Sequence, residues 1–134
     1  MAVRVLVFSG DRRLVLGSLH PPVNDSFGWP FVALVPAFDA GERQVVEAIA
    51  GSLIDRGCME FCCVGPEAER LHDSLDGIAE EKGALDVVTT WHTDYVDACE
   101  YFLFAAGGKP PTLLALISSH PELTALLEGD AKTG

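Results

Sequence analysis

The sequence predicts a three-layer α/β domain built on a mostly parallel sheet. Two observations carry the prediction. Four continuous apolar runs of strand length, FVALVPAF (31–38), MEFCCVG (59–65), LDVVTTWH (85–92) and TLLALIS (112–118), suit strands buried on both faces. The segments between and after them place apolar residues at helical spacing, so strands and helices alternate. Such alternation gives parallel strands joined by right-handed crossovers, with helices on both faces. That is the Rossmann-like or flavodoxin-like arrangement. At 134 residues and 49% hydrophobic, the chain is expected to be a single domain over residues 1–128, with 129–134 a disordered tail.

Residues 3–9, VRVLVFS, read as a β-branched strand, followed by a turn at Gly10 and Asp11. RLVLGSL (13–19) can return as an antiparallel partner, giving an N-terminal hairpin beside the parallel strands. HPPVNDSFGWP (20–30) holds three prolines and must be a loop. Val45, Val46, Ile49, Ala50, Leu53 and Ile54 form the stripe of a helix from about 40 to 56, which Gly57 stops. Pro66 opens a second helix to about 82, with Ala68, Leu71, Leu75, Ile78 and Ala79 as its buried stripe. Helices over about 94–106 and 120–128 complete the pattern.

Charge removes several function classes. Nine Lys and Arg against twenty Asp and Glu give a net charge of -11, which repels nucleic acid and anionic membranes and favours a basic partner if charge selects one. No apolar run approaches the ~20 residues a membrane helix needs. The N-terminus, with Arg4 inside a short apolar run, reads as a strand and not as a signal peptide. Cys58, Cys62, Cys63 and Cys99 include no C-x-x-C and suit small buried hydrophobes in a reducing cytosol. The expectation is a cytoplasmic protein.

The predicted strand ends carry many polar groups, and the run VVTTWHTD (87–94) ends in His92 and Asp94. In an open α/β sheet such ends line the ligand crevice. Most of these groups also have a simpler place. Asp39-x-x-Glu42 and Ser119-x-x-Glu122 fit capping boxes, Thr93 or Asp94 is a natural cap for a helix carrying Asp97, and Glu67 falls in a first turn. Acids there meet the positive helix end, by ~0.3–1 kcal/mol each. Acid-filled first turns argue against phosphate, and neither G-x-G-x-x-G nor G-x-x-x-x-G-K occurs. Arg12, Arg13 and Arg43 are the bases nearest the tips. His92 and His120 would come within metal-bridging reach if their strands were neighbours, with Glu67 or Asp94 as a third ligand. No local chelating spacing supports this, so no metal and no cofactor are expected. His72 reads as a semi-buried histidine bonded to Asp76 or to the backbone. The alternative catalytic set, for a small hydrolase or ligand-binding domain, is His92, His120 and Glu67.

The helix DYVDACEYFLFAA (94–106) is apolar nearly all round. Tyr95, Val96, Cys99, Phe102, Leu103 and Ala106 fill one stripe, leaving Tyr101 and Phe104 outside it. These two read as an interface residue pair, unless Phe27 and Trp29 of the 20–30 loop cover them or join the contact surface.

FCCVGPEAERLHDSLD and VVTTWHTD resemble segments of small bacterial proteins grouped only as domains of unknown function. The resemblance covers about a third of the chain. It implies a bacterial α/β domain and lends no activity. The functional expectation is a non-enzymatic domain acting through protein contacts, as a homo-oligomer or as an accessory or inhibitor subunit. An inhibitor of a basic toxin is one version of it.

Overall fold

The computed structural model describes residues 4–8, 12–19, 30–108 and 110–133. Ten elements follow in order: β1 (Arg4–Phe8), β2 (Arg12–Leu16), β3 (Phe31–Pro36), α1 (Ala40–Asp55), β4 (Cys58–Val64), α2 (Ala68–Glu81), β5 (Val88–His92), α3 (Tyr95–Phe104), β6 (Thr112–Ala115) and α4 (Pro121–Thr133). A short 3-10 turn, Ala106–Gly108, follows α3. The strand order is β1-β2-β6-β3-β4-β5, and β2, β6, β3, β4 and β5 are mutually parallel. The chain is an α/β fold, as its alternation predicts.

Period-2 alternation along the strands feeds two core layers. Phe31, Ala33, Val35, Phe61, Cys63, Leu114 and Leu116 pack with Val46, Ala50 and Leu53 of α1 and Leu71 and Leu75 of α2. Val32, Leu34, Cys62, Val64, Leu113, Ala115 and Ile117 pack with Ala98, Cys99, Phe102 and Leu103 of α3 and Leu123 and Leu127 of α4. All six residues of β3 are buried, because it lies between β6 and β4 with helices over both faces.

Several expected boundaries move, each for a local reason. The strand that joins the parallel body is β2, not residues 3–9. Leu14, Val15 and Leu16 alternate into both core layers, whereas Val5 of β1 is 52% exposed. β1 runs against the outer side of β2, with Arg4 opposite Leu16 and Phe8 opposite Arg12. The turn of the expected hairpin, residues 9–11, lies outside the described residues. The helix after β4 starts at Ala68 and not at Pro66, since the Glu67 N–H donates to the Ala37 carbonyl and ties the chain back to β3. Residues 85–86 form a turn, so β5 begins only at Val88. The cause is the end of α2: Gly83 N–H donates to Glu80 O and Ala84 N–H to Ala79 O, a Schellman closure with Gly83 at φ 71°. The expected tail is instead the end of α4, which runs to Thr133. Leu123, Leu127 and Ala131 recur every four residues and pack on the second core layer, so the stripe continues through Gly129.

Candidate functional site

The strand order places the topological switch between β3 and β6. β3 leads into α1 on one face and β6 into α4 on the other, which opens a crevice at their C-terminal ends. A cleft of about 320 Å³ lies there, lined by Ser18, Leu19, Asp39, Gly41, Glu42, Val45 and Ser119. His120 Nε2 stands 2.7 Å from Glu42 Oε2, both side chains about one-sixth exposed. Phe38 stacks on the imidazole at 4.0 Å between ring centroids and meets Tyr95 at 5.2 Å. A carboxylate-oriented histidine is the arrangement that general acid–base chemistry uses. Here the pair also ties the start of α4 to the start of α1.

The remaining crevice acids are engaged with backbone. Asp39 accepts from Glu42 N–H at 2.8 Å, and Glu42 Oε1 reaches back to Phe38 N–H at 2.9 Å. Asp94 accepts from Asp97 N–H at 2.9 Å. Ser119 does not hold the expected cap. With Pro121 at the first helical position, the residue that flanks α4 is His120. Arg43 lies between Glu47 at 2.9 Å and Glu67 at 3.4 Å, so its charge is already matched.

The sequence-predicted pair His92 and His120 is not brought together. Their strands are separated by β3 and β4, a spacing of about 14 Å at ordinary inter-strand distances. His92 instead packs against Tyr101, with 5.3 Å between ring centroids, and its buried Nδ1 has no hydrogen-bond partner. Glu67 faces Arg43. Among the described residues, no group of three His, Cys, Asp or Glu is placed to hold a metal ion. His72 pairs with Asp73 at 3.0 Å and stands 3.6 Å from Asp76.

Glu60 escaped the sequence reading. It is 3% exposed in the middle of β4. Its carboxylate accepts from Tyr101 Oη at 2.7 Å, Gly107 N–H at 2.9 Å, Thr90 Oγ1 at 3.0 Å and, more loosely, Cys62 Sγ at 3.8 Å. Burial, followed by the hydrogen bond to Glu60, pushes the Tyr101 phenol upward. The signal was present: a single acid inside the apolar run MEFCCVG has to find donors on whatever packs over it.

All four cysteines are buried and free. Burial raises each thiol above 9.0, Cys99 to about 12. Below pH 9 the thiols are protonated in both folded and unfolded chains, so this stability is fully present. Above it, thiols ionise only in the unfolded chain, at about 1.4 kcal/mol per thiol per pH unit. Urea unfolding under reducing conditions is expected to show stability falling steadily from pH 9 towards 12. A flat profile over that window would show that the thiols reach water.

One edge of the sheet carries an apolar surface. Six large apolar side chains are exposed among the described residues. Five of them, Leu85, Val88, Trp91, Val96 and Phe104, lie on β5, on α3 or on the lead into β5. Tyr101 turns its hydroxyl inward to Glu60, while Phe104, three residues on, stays 39% exposed on α3. Phe27 and Trp29 lie outside the described residues.

Sheet order, layers and crossovers define an α/β domain with its crevice at the β3/β6 switch. Residues 16–127 match the model of the family described as Domain of unknown function (DUF7684), and the chain belongs to that family. No curated protein matches the sequence. No helix among the described residues is long and apolar enough to cross a membrane.

Proposed function

We propose that this chain is an interaction domain that works by docking another protein chain against its β5/α3 edge, rather than by catalysis. The observation that carries the reading is the clustering of Leu85, Val88, Trp91 and Phe104 around an edge strand. Exposed apolar side chains gathered at one edge of a sheet commonly mark a contact site. Tyr101 supports the face from beneath, because its bond to Glu60 fixes α3 against β4 and so sets where Phe104 stands. The net charge of -11 steers basic proteins generally, but β5 itself, VTTWH, carries no acid.

A photo-crosslinking amino acid placed at Trp91 or Phe104 is expected to yield a higher-mass product in cells making the full chain. The same group at Gln44, exposed on α1, is expected to yield none. Equal labelling from all three positions, or none from any, contradicts the docking face.

The His120–Glu42 pair favours a second reading, a small polar ligand held in the β3/β6 crevice. A fragment screen by NMR tests it. Shifts clustered on the Ser18, Gly41 and Ser119 amides support the reading, and their absence throughout the screen removes it.

A further inference from the structure

We infer that the occupant of the β5 edge is an extended, basic segment of another protein, which adds to the sheet as a strand and turns alternate Arg or Lys side chains towards α2. The inference rests on the docking-face reading above and gives the partner its chemistry.

The backbone offers the ladder. Gly65 N–H donates to the His92 carbonyl, so His92 aims its peptide groups at β4. By alternation Thr90 and Val88 do the same along the Glu60–Val64 register, and Thr89 and Trp91 aim theirs away from the sheet. Among the described residues no strand lies beyond β5. Edge strands are ordinarily protected by Lys, Pro, an inward charge or a bulge. β5 holds no Lys, Pro or acid, and its register with β4 is continuous over five residues.

Charge selects what can join the ladder. Thr89 and Trp91 pair with Phe61 and Cys63, which belong to the core layer under α1 and α2, so their side chains lie on the α2 side. The Thr89 hydroxyl there donates to the half-exposed Asp76 carboxylate. Glu69, Asp73, Asp76 and Glu80 recur at steps of four, three and four, which sets them in one stripe along α2, and all four are exposed. Arg70, the one Lys or Arg of α2, falls about a quarter-turn outside that stripe. Among the described residues no Lys or Arg pairs with these acids, and His72 stands between Asp73 and Asp76. From Glu69 to Glu80 the helix rises about 16 Å, which matches the length of the five residues of β5.

A strand laid along β5 sets every second side chain on this acidic side. A cation beside Thr89 reaches Asp76. The next cation along lies beside the exposed Trp91, whose ring face favours Arg. The intervening side chains fall on the α3 side with Val88 and Thr90, where apolar or neutral groups fit. The stripe repels an acidic strand, and the field of a chain at -11 draws a basic one in.

NMR titration of the purified full chain with a short blocked peptide of alternating Arg and Val tests the inference. The Thr89 and Trp91 amides and those of the α2 stripe are expected to shift together, and added salt to weaken the shifts. The same peptide with Glu in place of Arg is expected to give none. A version methylated on every backbone nitrogen keeps the charge and cannot donate to the ladder, so it is expected to lose the Thr89 and Trp91 shifts. Asp73→Asn together with Asp76→Asn keeps an acceptor for Thr89 and is expected to weaken binding by roughly three- to tenfold. No shift at millimolar peptide, or equal shifts from the methylated peptide, overturns the inference. If position 91 then still crosslinks to another protein in cells, the docking face stands and only the basic strand fails. If no position crosslinks, both fail.

Discussion

Gly65→Ala is expected to lower stability by on the order of 3–4 kcal/mol. Gly65 sits where β4 turns towards α2, at φ 123°, a conformation L side chains rarely adopt. A Cβ there would stand 2.6 Å from the Ala37 carbonyl oxygen, 2.9 Å from its carbon and 3.0 Å from Phe38 Cδ1. The first two contacts are backbone of the segment leaving β3, which cannot step aside without disturbing the crevice. Gly83 provides the control. It has φ 71° with nothing within 4 Å of the added atom, so Gly83→Ala carries only the left-handed cost of about 1–2 kcal/mol. Urea midpoints followed by far-UV circular dichroism separate the two. Equal losses would mean that the clash at Ala37 relaxes freely.

The second large effect is expected at Glu60. Glu60→Ala leaves the Tyr101 hydroxyl, the Thr90 hydroxyl and the Gly107 N–H without their acceptor under α3, at a cost of about 3 kcal/mol. Tyr101→Phe removes one donor from a buried carboxylate and is expected to cost about 1.5–3 kcal/mol. The two changes remove the same bond. The double variant should therefore lose less than the sum, with a coupling of roughly 1–3 kcal/mol in a double-mutant cycle. Additive losses would show that Tyr101 and Glu60 act independently, and that α3 is held on the sheet by packing alone.

What the sequence made legible follows from the range of the forces involved. The apolar runs and helical stripes are local, and they appear as β3, β4, β6 and the buried faces of α1 to α3. Caps are local too, so Asp39 and Asp94 were readable from residues three positions away. Ser119 misled because Pro121, one residue beyond the expected start, sets where α4 begins. Strand order is not local. His92 and His120 end consecutive strands, yet the crossover through α3 passes over β4 and β3 before β6 inserts beside β2. The pairing His120 does make, with Glu42, spans 78 residues and depends on that order. Tyr101 looked like a spare aromatic on a helix wheel. Its hydroxyl is drawn inward by Glu60, 41 residues away, and no periodicity reports such a bond.

Amide hydrogen exchange at Thr89 and Trp91, measured on the purified chain at rising concentration of the alternating Arg and Val peptide, tests the β5 docking edge most directly. Their N–H groups point away from β4, and among the described residues no strand pairs with them, whereas the inner β5 amides are bonded to β4. Protection of both amides that grows with peptide concentration, and is lost in Trp91→Lys, is the expected result. Fast exchange at both positions at every peptide concentration, with the rest of β5 protected, would contradict pairing at this edge.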